Sequence, residues 1–154
     1  MKKMLLTTAK RAVLHPWFRL SRGMTLGVRV CAFDGDRVLL VRHTYAPGWL
    51  FPGGGVDRGE TVFDAAVREL REESGVVAAE TPQLHGLFSN EDHFSGDHIA
   101  CFVVKSFARE RWRPTLEIAE ARFFPCSELP RGTTGGTRRR IVEIRGGIAA
   151  PPVW

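Results

Sequence analysis

The chain has 154 residues, 44% of them hydrophobic and 25% charged, which fits one globular domain over residues 1–154 and excludes a disordered or fibrous chain. No apolar run approaches the roughly 18 residues of a membrane span, and Cys31, Cys101 and Cys126 are too few and too scattered for a disulfide framework. A formal charge of +5 suits an anionic partner without identifying one.

In chain order, Leu6, Ala9, Val13 and Leu14 recur at helical spacing before Pro16, which predicts an N-terminal helix within residues 1–20. No apolar core precedes a small-residue cleavage site there, so no secretory leader is read and a cytoplasmic protein with reduced thiols is expected. Thr25 to Phe33 and Arg37 to His43 are β-rich and meet at Asp34-Gly35-Asp36, a hairpin signal. Trp49-Leu50-Phe51 reads as a short strand ended by Pro52. Pro52-Gly53-Gly54-Gly55 cannot be a regular element, and its glycines let the backbone approach an anion or a metal.

Thr61 followed by Asp64 is a capping box that starts a helix at Val62, and Gly75 supplies its left-handed stop. Phe63, Ala66, Val67 and Leu70 form its apolar stripe. Glu69, Glu72 and Glu73 share a second face, centred about 120° away. Carboxylates in the last helical turn oppose the macrodipole, and the i, i+4 pair of Glu69 and Glu73 repels. Protonation or a bound cation relieves both costs; a divalent metal is the simpler remedy, and oxygen-only donors favour Mg²⁺ or Mn²⁺.

Gln83 to Ser89 and His98 to Phe107 read as two further strands, joined by a polar loop, Asn90 to Asp97, that can lie over a cleft and carries His93. Beyond a Gly/Thr-rich stretch, Arg138-Arg139-Arg140 opens a helix over residues 138–148, with Ile141, Ile144 and Ile148 on one face and the arginines on a solvated one. Phe51 and Phe94, with Trp49 and Phe88, are candidates to stack a base. Arg42 is a further candidate substrate contact.

The run from Gly54 to Val76 carries Gly54, Glu60, Arg68, Glu69, Leu70, Glu72, Glu73, Gly75 and Val76 at the spacing G-x5-E-x7-R-E-U-x-E-E-x-G-U, where U is aliphatic. This is a complete Nudix box, and the chain resembles a Nudix hydrolase. The resemblance implies an α/β/α sandwich around a mixed β-sheet, and attack of water on the phosphoanhydride of a nucleoside diphosphate linked to another group, X. It implies a Mg²⁺ or Mn²⁺ set of Glu69, Glu72, Glu73 and the Gly53 carbonyl. Catalytic roles fall to Glu69, Glu72 and Arg68 and to a second acid, Glu117 or Glu120, with Gly54, Glu60 and Gly75 in support. The resemblance also implies an aromatic strand after that acid and a short one-turn helix at Ser127 to Pro130.

The family's proline and tyrosine markers for ADP-ribose and dinucleoside polyphosphate substrates are absent at their expected places. The expected partner is a small nucleotide, with no membrane and a monomer or homodimer. The alternative is a non-catalytic module that binds a nucleotide or, through Arg138 to Arg140, RNA. The full set of box carboxylates favours the enzyme.

Overall fold

The computed structural model describes residues 23–154, so the helix expected within residues 1–20 lies outside the described part. Strands β1 (Thr25–Asp34) and β2 (Arg37–His43) make the predicted hairpin, but only its closed end is paired, Phe33 to Val38 and Asp34 to Arg37. Beyond that point the strands diverge, and residues 50–55 fill the gap. Leu50 exchanges backbone hydrogen bonds of 2.8 and 3.1 Å with Val41 on one side. On the other side Val30 N–H donates to Pro52 O at 2.9 Å and Val28 N–H to Gly54 O at 2.8 Å. The expected strand Trp49 to Phe51 is therefore replaced by isolated bridges at Trp49 and Leu50, because Pro52 has no N–H with which to continue a ladder.

Helix α1 (Val62–Ser74) leads into a short strand, β3 (Val76–Ala78), followed by β4 (Gln83–Ser89) and β5 (Asp97–Val104). The strand expected to run to Phe107 ends at Val104. Phe107 instead opens β6 (Phe107–Arg109), which pairs antiparallel with β3 as a separate two-stranded sheet. With β7 (Ile118–Pro125) the main sheet has the order β4-β5-β1-β2-β7, parallel only between β1 and β5. A turn follows β7 where a one-turn helix was expected, closed by Glu128 N–H donating to Pro125 O at 3.0 Å.

Strand alternation sorts the interior into two layers. Val28, Val30, Ala32, Leu39, Ala100 and Phe102 face Ala65, Ala66 and Leu70 of α1. Cys31, Phe33, Val38, Leu40 and Val103 face Ile141 of α2 (Gly135–Gly146). Helices on both faces of a mixed sheet make the expected α/β/α sandwich. Cys31 and Cys101 are buried in it, and all three cysteines are free.

Both helices depart from their predicted faces. In α1 the buried positions are Ala65, Ala66, Leu70 and Glu73, while Phe63 remains 40% exposed. Two adjacent alanines let the helix lie close on β1 and roll toward its glutamate side. Helix α2 begins at Gly135 rather than at 138, and Ile148 lies beyond its end, exposed. Arg140, expected to be solvated, is fully buried. It donates to Glu143 Oε1 at 2.6 Å and to Val153 O at 3.0 Å, and its guanidinium lies 4.1 Å from the Phe88 ring centroid. Charge and stacking partners together make that burial tolerable.

After α2 the chain turns back along the edge of β4. Ser89 N–H donates to Pro152 O and Trp154 N–H to Ser89 O, both at 2.9 Å. This places the Trp154 ring edge-on against Phe88, with centroids 5.8 Å apart.

Candidate active site

The cap of α1 forms as its residues dictate: Thr61 Oγ1 accepts from Asp64 N–H at 3.1 Å, and Gly75, at φ 70°, donates to Arg71 O at 2.8 Å. Within this frame Arg68 is the organiser of the acids. Its Nε and Nη2 grip the two Glu60 oxygens at 2.8 and 2.9 Å. Nη1 reaches Glu69 Oε1 at 2.7 Å and Glu72 Oε2 at 3.4 Å, and Nη2 also donates to Gly55 O at 3.1 Å. The Arg68 hydrogen bonds, helped by the Asp57 N–H, hold the Glu60 carboxyl down to about 2. The same pairing raises Arg68 itself above its ordinary value. Glu60 and Arg68 thus tie the segment before α1 to the glutamate face.

Glu73 sits deeper. Its carboxylate accepts from Gly53 N–H at 2.9 Å and is 7% exposed. Burial pushes it up to about 7, against the pull of the Gly53 hydrogen bond and the Arg29 charge, and with a further push from Glu69 and Glu117. Gly53 has φ 148°, and a Cβ there would overlap the Val28 carbonyl oxygen, so only glycine fits. At Gly54 a Cβ would come within 2.5 Å of Glu69 Oε1, so this backbone too is bare where a carboxylate lies on it.

Three residues that the sequence did not single out complete the surroundings. Arg29, on β1, donates to Gly53 O at 2.6 Å and to Phe51 O at 3.3 Å. An arginine between Val28 and Val30 in an apolar strand is the signal that could have found it. His43 has its Nε2 3.9 Å from Glu73 Oε1, its Nδ1 is buried without a partner, and burial and Arg29 lower its pKa. Trp154 enters from the segment after α2.

Glu69, Glu72 and Glu73 line one cleft of about 430 Å³, together with Thr115, Leu116, Glu117 and Ile118. A larger hollow of about 610 Å³ on the other flank of α1 is shared by Glu60, Arg68, Glu72 and Trp112, but neither Glu69 nor Glu73 opens into it. The carboxylates gather in the first cleft, which makes it the candidate active site. Glu117 is there and Glu120 is not: Glu120 faces Arg42 across the β2–β7 pair, and the two form an ion pair. Arg42 also lies 5.9 Å from the Trp49 ring centroid. Phe51 is fully buried in the layer beneath α2, with no face free for a base, whereas Phe94 is 61% exposed in the loop between β4 and β5.

A cavity of about 260 Å³ opens on the α2 face of the sheet, with Arg29 and Ile99 contributed by the strands, Leu50 and the start of α2 at its sides, and Asn90 and His93 from the loop. Arg29 lines this cavity and also holds the Gly53 carbonyl, so a single glycine separates it from Glu73.

The donors fit a hard divalent cation. They are all oxygens, and a buried carboxyl faces two others without a cation of its own beyond Arg29. As the side chains stand, no three His, Cys, Asp or Glu groups among the described residues converge on a single point. Glu69 and Glu72 are turned onto Arg68 and would swing from it toward Glu73.

This constellation sits on a mixed sheet between two helices, with its carboxylates gathered in one cleft. Residues 23–143 match the NUDIX domain model, and the chain belongs to that family. It is 42% identical over 64 residues to the uncharacterized Nudix hydrolase YvcI of Bacillus subtilis, covering 42% of this chain and 39% of that one. It is 30% identical over 100 residues to an ADP-ribose pyrophosphatase of Methanocaldococcus jannaschii, covering 62% and 59%. The chain therefore spans less than two thirds of the length of these relatives. Among solved structures, a MutT NUDIX hydrolase from Burkholderia pseudomallei superposes with a TM-score of 0.68 at 24% identity, over 78% of this chain and 97% of that one, a likeness of fold. Among the described residues no helix is long and apolar enough to cross a membrane.

Proposed function

We propose that the chain is a Mg²⁺- or Mn²⁺-dependent pyrophosphohydrolase that cleaves the phosphoanhydride of a nucleoside diphosphate linked to X. The observation that carries this reading is the cleft in which Glu69, Glu72, Glu73 and Glu117 meet beside Gly53, with Glu73 buried and short of positive charge. Glu69, Glu72, Glu73 and the free lone pair of the Gly53 carbonyl would hold the cation. When bound, it supplies charge neutralisation and Lewis acidity at the diphosphate.

The rest falls to the chain itself. Arg68 holds Glu69 and Glu72 along α1 by hydrogen bonds, and Arg29 fixes the Gly53 carbonyl from the far side of the sheet. Glu117 faces the cluster across the cleft, and among the described residues no arginine pairs with it, so it is placed to take the proton of the attacking water. Glu120 is excluded from that role by its ion pair with Arg42. The nucleoside or X extends into the cavity on the α2 face. An RNA-binding role loses its footing, because Arg140 is buried and Arg138 and Arg139 are spent on the Thr133, Pro130 and Trp154 carbonyls.

The test is release of phosphate or nucleoside monophosphate from nucleoside triphosphates, nucleotide sugars, ADP-ribose and dinucleoside polyphosphates, in Mg²⁺, Mn²⁺ or EDTA. Turnover of one class, abolished by EDTA, is expected. Glu117→Gln should lower kcat by about 10²–10⁴-fold, the usual worth of a general base, while Glu120→Gln leaves it nearly unchanged. The reverse pattern would overturn the assignment of the base, and turnover that survives EDTA would overturn the metal site.

A further inference from the structure

The cavity on the α2 face has one wall that the sandwich itself does not supply. Arg29, Leu50, Ile99 and the first turn of α2 belong to the sheet and its helix, but the remaining side is Trp154, delivered by a segment that only borders the sheet. Contacts to its backbone and to its ring fix that indole. Two backbone hydrogen bonds to Ser89 set the segment against β4. The Arg140 guanidinium lies 5.5 Å from the indole centroid while it also stacks on Phe88, and Arg139 donates to the Trp154 carbonyl. Gly136 has no side chain, and a Cβ there would come 2.5 Å from Trp154 Nε1, so the first turn of α2 is bare where the ring rests. A buried arginine, the Phe88 ring and a glycine thus surround one indole at the mouth of a cavity.

We infer that Trp154 is a specificity-determining residue: its indole is the wall against which the planar base of the substrate packs. The chemistry of the cavity suits such a group. Leu50, Ile99 and the indole are apolar surfaces for a flat ring, and Asn90 and His93 at the rim can hydrogen-bond its edge. At about 260 Å³ the cavity has room for one ring system and not for a long chain. Arg29, in the same cavity, is one glycine away from Glu73, which places the diphosphate at the carboxylates when the base is in the cavity. The inference rests on the hydrolase reading for the identity of the occupant, and the shape of the wall stands apart from it.

The test uses the full chain and two readouts. For whichever substrate is turned over, Trp154→Ala should raise KM by roughly three- to tenfold, the worth of one aromatic contact, with kcat within about twofold of wild type. Trp154→Phe should recover most of the loss. Gly136→Ala keeps the tryptophan but pushes its ring aside, and it should raise KM as well while α2 is retained. The second readout is equilibrium binding of AMP, GMP, CMP and UMP in EDTA, which needs neither metal nor turnover, with melting temperatures confirming that each variant is folded. Weaker binding of the preferred monophosphate in both variants supports the inference even if the wild type hydrolyses nothing, in which case the hydrolase reading alone has failed. Unchanged KM and unchanged monophosphate binding in both Trp154→Ala and Gly136→Ala, or no binding of any monophosphate to the wild type, overturns it.

Discussion

Replacing Glu73 by glutamine separates what this side chain does for folding from what it does for chemistry. In the folded, metal-free protein burial holds its carboxyl at about 7, against 4.5 for an ordinary glutamate. The folded state therefore binds the proton more tightly than the unfolded chain does. The contribution of Glu73 to stability is greatest below pH 4.5, falls between there and 7, and levels off above, where the full cost of an ionised buried carboxylate is present. The difference amounts to about 3 kcal/mol, an upper figure because Arg29 and water rearrange on ionisation.

For a chain of this size that is roughly 6–12 °C in Tm. Glutamine keeps an oxygen to accept from Gly53 N–H and cannot ionise, so Glu73→Gln in EDTA should lack this fall, keep only the rise with pH that the lowered His43 contributes, and be more stable than wild type at pH 8. The assay is thermal unfolding from pH 5 to 8 in EDTA and in excess Mg²⁺. In Mg²⁺ the wild type should regain the lost stability, since the cation binds the folded carboxylate, and the variant should not respond. Glu60 titrates in the opposite sense at lower pH: its stabilisation is complete above 4.5 and is lost as the pH falls toward 2, so the two slopes do not overlap. Identical pH slopes for wild type and Glu73→Gln in EDTA would refute the reasoning, because Glu73 would then ionise normally when folded.

Arg140→Ala should cost about 3–5 kcal/mol in urea unfolding, because it strands the buried Glu143 carboxylate, and adding Glu143→Gln should recover part of that loss. A cost below about 1 kcal/mol would show the pair to be solvated. Gly53→Ala should lose at least about 3 kcal/mol, from an unfavourable φ and an overlap with backbone that cannot move aside. Hydrolysis should fall with it, and a variant as stable as wild type would mean that the segment can be displaced.

Much of the frame was legible because local rules agree with the fold. The hairpin turn at Gly35, the Thr61 cap, the Gly75 stop and the strand-forming runs of β1 and β5 each answer to nearest neighbours in the chain. The box glutamates were legible through their spacing. What was not legible depends on partners far away in sequence. Helical periodicity put Glu73 on a face apart from the apolar stripe, but the close packing of Ala65 and Ala66 on β1 rolls it inward. Arg140 looked solvated among three arginines until Glu143, Phe88 and Trp154 surrounded it. Choosing between Glu117 and Glu120 required the β2–β7 register, in which Glu120 falls opposite Arg42. Trp154 carried no motif, and its place follows from a pairing with β4 that no local signal encodes.

The wedge of residues 50–55 between β1 and β2 has a consequence for how this sequence can vary. Both of its edges are spoken for by backbone hydrogen bonds, to Val41 on one side and to Val28 and Val30 on the other. One added residue there would slip the register against both strands and reverse which side chains point to which layer. The arch at residues 45–47 makes no such backbone hydrogen bonds and can lengthen. The splayed hairpin thus divides a single connection into a part open to insertion and a part of fixed length, and the fixed part is the one that carries Gly53 to Glu73.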